Sequence, residues 1–176
     1  MESTKGNLFI ITAASGAGKT SLVKALVSEN PNINVSISFT TRNPRVGERD
    51  GKDYFFLDDI DFKKMVENNE FLEMAKCHGS LYGTSKLTVK EILDKGKDII
   101  LEIDYQGAFN VKKLFPESIS IFIIPPSIKA LEDRLHKRGQ DSEKDIKLRV
   151  AAARNEMSHL GKFDYVTIND NFEKAL

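Results

Sequence analysis

A chain of 176 residues, 40% hydrophobic and 30% charged, is long enough for one full-sized globular domain with a sizeable core. Lysine plus arginine and aspartate plus glutamate balance at 26 each, which argues against a general nucleic-acid or membrane-surface binder and makes any anion chemistry local. No apolar run approaches the ~18 residues of a membrane span, no secretory signal is visible, and a lone cysteine, Cys77, excludes an internal disulfide framework, so a cytoplasmic setting is expected.

In chain order, residues 7–12 (NLFIIT) read as a buried strand and residues 19–29 as a helix with Leu22, Ala25 and Leu26 on one face. Residues 34–93 are more polar and more aromatic. Short strands are expected there at 34–38, 54–57 and 70–76, and helices at 59–66 and 85–93, the second stopped by Gly96. This stretch reads as an inserted α+β lobe. Continuous apolar strands return at 98–103 and 119–124, followed by helices at 107–114, 128–137 and 143–160 and a last strand at 165–168. Such alternation argues for an α/β core, a parallel sheet with helices on both faces. Residues 136–150, dense in charge and carrying Gly139 at a hinge position, form a second insertion. The expected division is a core of 1–33, 94–135 and 151–176, a lobe of 34–93 and a short helical lid of 136–150.

The first strand runs into TAASGAGKT, residues 12–20. The phosphate-loop pattern G-x-x-x-x-G-K-[ST] aligns on Gly18, Lys19 and Thr20 and puts Ala13 where a glycine usually stands. A glycine-rich turn between strand and helix aims backbone N–H groups and a helix N-terminus at one small volume, which favours an anion. Lys19 adds a mobile charge for the β- and γ-phosphates, and the Thr20 hydroxyl is placed for Mg²⁺. Ala13 costs little if its φ is negative. An acidic partner is expected at the end of a second buried strand, where DIILEID offers Asp104 and, two residues earlier, Glu102. Asp104 could equally cap the following helix.

SGAGKT, SFTTRNPRVGERDGKDYFF (38–56), NEFLEMAKCHGSLYGTS (69–85), LEIDYQG (101–107) and RLHKRGQDSEKDIKLR (134–149) together are similar to the guanylate kinase family in its bacterial-type, single-domain form, over essentially the whole chain. The resemblance implies a P-loop kinase that moves the γ-phosphoryl of ATP, with Mg²⁺, to GMP or dGMP, without nucleic-acid or membrane partners. It implies an ATP site at Ala13, Ala14, Ser15, Gly16, Ala17, Gly18, Lys19 and Thr20 with Arg134 and Asn169. The GMP site would comprise Ser38, Arg42, Arg45, Glu48, Tyr54, Glu73, Tyr82, Thr84, Glu102 and Asp104. Catalytic cations would be Lys19, Arg138 and Arg149, the two arginines carried by the lid, and Asp104 is a possible further metal ligand.

The residue chemistry agrees in part. Arg42 and Arg45 can fork bidentate bonds onto a phosphate dianion. A buried Glu73 would select guanine's paired N1–H and N2–H₂ donors, with Ser38 and Thr84 facing O6. By pattern alone Glu73, alternating with Leu72 and Met74, reads as the solvent face of a strand. The lid arginines could instead pair with Glu132, Asp133 or Asp145, and Asn169 could simply form a turn. A phosphate monoester with second pKa near ~6 needs no general base, so His78, His136 and His159 are expected to be structural or at the surface. Cys77 is expected as a half-buried filler.

Two departures from the family stand out. Ala14 occupies a position where many relatives have proline, which frees φ and is expected to leave the loop more mobile. NFEKAL reads as the first turns of a helix that runs longer in relatives. The competing reading is a catalytically silent interaction module of the same fold. A kinase for another mononucleotide would require a different role for Glu73.

Overall fold

The computed structural model describes residues 5–77, 79–139 and 141–176. Five strands, β1 (Leu8–Ala13), β2 (Ile33–Val35), β7 (Asp98–Glu102), β8 (Ile119–Ile124) and β9 (Tyr165–Ile168), form one sheet in the order β2-β7-β1-β8-β9. Every pairing in it is parallel, with Leu8 opposite Ile99 and Phe9 opposite Ile119. The continuous apolar runs are explained by two covered faces. Leu8, Ile10, Ile99, Leu101 and Ile103 point to one face, under α3 (Lys86–Asp94) and α4 (Tyr105–Leu114). Ile11, Ile100 and Phe122 point to the other, under α1 (Lys19–Glu29), α5 (Ile128–Arg138) and α6 (Glu143–Met157). In α1 the buried positions are Leu22 and Val23, with Ala25 and Leu26 only half-buried.

A second sheet of order β4-β3-β6-β5 stands beside this core, built from β3 (Phe39–Thr40), β4 (Phe55–Phe56), β5 (Phe71–Cys77) and β6 (Ser80–Ser85), with α2 (Asp59–Glu67) packed on it. Its interior is aromatic: Phe62 stacks on Phe71 at 4.6 Å between ring centroids, and Phe39 stacks on Phe55 at 4.7 Å. A Cβ at residue 83 would stand 2.7 Å from the Phe71 ring, so only glycine fits beneath it.

Two segments expected in the lobe belong to the core. The strand expected at 34–38 spans Ile33–Val35 and extends the parallel sheet, because Ser36 N donates to Ile100 O at 2.9 Å and continues the β7 ladder. The helix expected at 85–93 is α3, capped by Ser85, and it buries Val89 and Leu93 against the core sheet. The expected lid is likewise continuous with core helices. It comprises the end of α5, a turn at Gly139 (φ 64°), and the start of α6, where Ser142 and Asp145 form a capping box. The helix expected over 143–160 closes at Met157 and is followed by a 3₁₀ turn, Leu160–Lys162. The final helix, α7, is a single turn, Phe172–Ala175. No helix among the described residues is long and apolar enough to cross a membrane.

Candidate active site

The phosphate loop lies between β1 and α1 as the motif requires. Gly16 (φ 86°) and Gly18 (φ 94°) adopt left-handed backbone that other residues rarely tolerate, and Gly18 is the N-cap residue of α1. The loop is also pressed from below. A Cβ on Gly16 would meet Leu131 at 2.8 Å, and one on Gly18 would meet the Asn169 amide at 2.6 Å. Asn169 is buried and donates through Nδ2 to Ala17 O at 2.8 Å, while its own carbonyl accepts from Arg134 at 2.8 Å. Arg134 and Asn169 thus buttress the loop. Ala14 is buried, and its N–H donates to Ile123 O at 3.1 Å, a bond that a proline could not make.

The two acidic candidates divide their roles. Thr20 Oγ1 donates to Glu102 Oε2 at 3.4 Å, so Glu102 faces the loop hydroxyl. Asp104 is the N-cap of α4, accepting from Gly107 N at 2.8 Å. Its charge also reaches Glu73 and Glu156.

In the second sheet Arg42 is held in a fork by Glu48 at 2.9 and 3.0 Å and stands over the Tyr54 ring at 5.2 Å. Glu48 also accepts from Arg45 N at 2.7 Å. Tyr82 lies near enough to add to the hold on the Arg42 guanidinium, and Tyr54 and Tyr82 meet edge to face at 6.0 Å. The Arg42 guanidinium and the Arg45 N–H hold the Glu48 carboxyl below its ordinary range despite its partial burial, and burial pushes the Tyr54 hydroxyl up.

Glu73 is buried, only 6% exposed, and does not lie on a solvent face. Its Oε1 accepts from Thr84 at 2.6 Å, and its Oε2 lies against the first turn of α4, where a Cβ on Gly107 would be only 2.5 Å away. Burial raises this carboxyl to about 7, with the Asp104 charge adding to the rise and Thr84 and Lys19 opposing it. Thr84 directs its hydroxyl hydrogen at Glu73. Ser38 is buried beside it on the approach to β3.

The lid arginines meet the lobe tip. A cleft of about 420 Å³ is lined by Pro44, Arg45, Val46, Arg138, Asp141 and Arg149. Arg149 pairs with Asp141 at 3.0 Å and reaches Ser15 Oγ at 3.4 Å. Asp141 is nine-tenths buried, and its second oxygen has no hydrogen-bond partner among the described residues. His136 lies within 3.3 Å of Glu143, and His159 stacks on Tyr105 at 4.4 Å; His78 lies outside the described residues. Cys77 is a free, half-buried thiol raised by burial.

Sequence reasoning did not find Gly107, Asp141 or Glu156. Gly107 was legible as a glycine three residues past a helix-capping Asp104, a position with no turn to explain it. Glu156 accepts from Ser15 N at 2.8 Å; it lies about two helical turns beyond Arg149, the end of the last quoted motif, and only tertiary packing reveals it.

The family model described as Guanylate kinase matches residues 5–176. The chain is 57% identical over 172 residues to the guanylate kinase of Methylobacillus flagellatus, covering 98% of this chain and 85% of that protein. The crystal structure of guanylate kinase from Anaplasma phagocytophilum is similar with a TM-score of 0.77 at 32% identity, covering 97% of this chain and 80% of that one. The SH3-kinase fragment of tight junction protein 3 shares the fold alone, with a TM-score of 0.51 at 14% identity, covering 98% of this chain and 53% of that one.

Proposed function

This chain belongs to the guanylate kinase family, and from that premise we propose how its residues divide the transfer of the γ-phosphoryl of ATP to GMP, giving ADP and GDP. It is an ATP-dependent nucleoside monophosphate kinase rather than a silent module of the same fold. The observation that carries the division of roles is the buried Glu73 carboxylate within electrostatic reach of Lys19, which brings a guanine reader and a phosphate loop to one site.

Backbone N–H groups of Gly16, Gly18, Lys19 and Thr20, with the Lys19 ammonium, hold the β- and γ-phosphates of ATP. Thr20, Glu102 and Asp104 offer only hard oxygen donors, a set that suits Mg²⁺ arriving with the nucleotide. When bound, the ion would supply charge neutralisation to the phosphates. Arg134 and Asn169 act on the ATP site through the loop they buttress. Arg42, Arg45, Tyr54 and Tyr82 bind the acceptor phosphate, and Glu48 sets the Arg42 fork in advance. Glu73 takes the N1–H and N2–H₂ donors of guanine, with Ser38 toward O6 and Thr84 joining it by turning its hydroxyl hydrogen from Glu73 to O6. Adenine would leave that buried carboxylate unpaired, a penalty of about 1–3 kcal/mol. Arg138 and Arg149 stabilise charge on the transferring group, and closure of the cleft excludes water as a competing acceptor. The guanine-edge contacts are indifferent to the 2′-hydroxyl, which supports dGMP as a second substrate, and the lone cysteine supports a reducing, cytoplasmic setting for nucleotide recycling.

An assay coupled to ADP release, run across GMP, dGMP, AMP, CMP and UMP, tests the assignment. Turnover is expected with the two guanine nucleotides; equal rates on all five would sink the Glu73 reading. Lys19→Met should lower kcat by roughly 10³-fold or more.

A further inference from the structure

One face of α6 holds the phosphate loop at Ser15 from two directions. Arg149, Ala153 and Glu156 are spaced by four and three residues and therefore share that face. Arg149 Nη1 approaches Ser15 Oγ at 3.4 Å, and Glu156 Oε2 accepts from Ser15 N at 2.8 Å. Between them Ala153 is fully buried in the same cluster as Ala14 and Ala17, and these small side chains let the helix backbone come close to the loop. Glu156 is not a surface carboxylate that meets the loop in passing. It is mostly buried, and charges converge on it from each element packed there: Asp104 at the start of α4, Lys19 on α1 and Arg149 on α6 itself. Burial pushes its carboxyl up, which the Ser15 N–H, Lys19 and Arg149 oppose.

We propose that Glu156 is a positioning residue for phosphoryl transfer, fixing the Ser15 peptide so that the phosphate loop and Arg149 stay in register on one helix face. This rests on the kinase reading above. The loop holds the donor phosphates and Arg149 meets the transferring group, so their separation decides whether the cation lies on the developing charge. A misplacement of about 1 Å there costs on the order of 10²-fold in rate. Glu156 reaches the reaction only through Ser15, and so its loss should act on ATP use and leave the acceptor site alone.

The test compares Glu156→Ala, Glu156→Gln and Arg149→Lys, singly and as the E156A/R149K pair. Glu156→Ala is expected to lower kcat by roughly 10- to 100-fold and to leave the KM for GMP within about twofold. Glu156→Gln retains an acceptor for the Ser15 N–H and should recover most of the lost kcat. The double variant should be no slower than the product of the singles and closer to the slower single, as residues acting through one contact are non-additive. A readout independent of turnover is amide hydrogen exchange at Ser15, which should quicken by about tenfold in Glu156→Ala and return toward wild type in Glu156→Gln. Intact kinetics and unchanged Ser15 exchange in Glu156→Ala would overturn the proposal. So would a lower Tm with unaltered kcat, which marks a purely structural contact. A wild-type protein that fails to phosphorylate GMP would refute the functional reading, while Ser15 exchange and ATP affinity would still decide whether Glu156 sets the loop.

Discussion

Glu73 links burial to specificity through its proton. Its carboxyl stands at about 7 against an ordinary 4.5, so the folded protein holds a proton that the unfolded chain has released between those values. Stability therefore declines as pH rises from about 4.5 through about 7. Guanine's donor edge favours the ionised form, and GMP must displace that proton below neutrality. The KM for GMP should rise as pH falls below about 7, approaching tenfold per pH unit, and Glu73→Gln should remove this dependence while raising the KM itself. A profile shared by wild type and Glu73→Gln would leave only the titration of the GMP phosphate. Gly107 makes a separate prediction. An added Cβ would sit 2.5 Å from Glu73 Oε2, so Gly107→Ala must push the carboxylate aside. The KM for GMP should rise at least about tenfold with the KM for ATP nearly unchanged, as measured by varying each substrate at saturation of the other. At this scale the sequence was legible wherever a motif demanded unusual chemistry. Lys19 and Thr20 came from the loop pattern, and Arg42 and Arg45 from two arginines flanking a proline. Glu73 came only through the resemblance, because an acidic residue alternating with Leu72 and Met74 follows the same pattern whether its face meets water or another sheet; only the approach of α4 decides.

The elements of the core are joined by a polar clip at the far end of the sheet. Asp164 Oδ2 accepts from Ser120 N at 2.8 Å, Ser120 Oγ at 2.7 Å and Lys112 Nζ at 2.8 Å, while Lys112 also donates to Ser118 O. The clip thereby ties α4, β8 and the entry to β9. Lys112 and the Ser120 donors hold the Asp164 carboxyl down at about 2 against an ordinary 3.8. The lowered value means stability is present above pH 3.8 and is lost as pH falls toward about 2. The side chain is 40% exposed, so solvent screening leaves about 1 kcal/mol of this. Asp164→Asn should lower Tm by about 2–4 °C at neutral pH, with the gap to wild type closing below about pH 3 in thermal scans. Helices and parallel strands were legible because their apolar periods are long and their caps are local, such as Asp58, Ser85 and Ser127. β3 and β6 were not. β3 has two residues, and β6 reads SLYGTS, polar with an internal glycine; its identity comes from antiparallel pairing with β5 and from the Phe71 ring that Gly83 admits. The strand expected at 34–38 was assigned to the lobe because so short a run carries too little period to say which sheet it joins.

For the whole molecule, the architecture was legible and the relation between its parts was not. A β-α alternation suffices for a doubly covered sheet, but it does not say that Leu135 at the end of α5 and Ile146 at the start of α6 anchor the two sides of the helical lid in the core. The balance of 26 positive and 26 negative side chains also holds in miniature at the site. Glu48 closes the Arg42 fork and Asp141 pairs with Arg149. The protein thus carries its own counterions. A bare basic cleft gathers salt anions that a phosphate must release, which makes affinity fall steeply with salt. Here a nucleotide exchanges with carboxylates that cannot diffuse away, so the KM for GMP should vary by less than about threefold between about 50 and about 300 mM KCl. Glu48→Gln should restore a steep dependence by leaving Arg42 to recruit chloride, and parallel salt series on the two proteins would reveal it. Free sulfate or inorganic phosphate competes poorly against tethered carboxylates, whereas a nucleotide that engages several of these donors at once can displace them together; the internal counterions act as a filter for ligands that bind at more than one point.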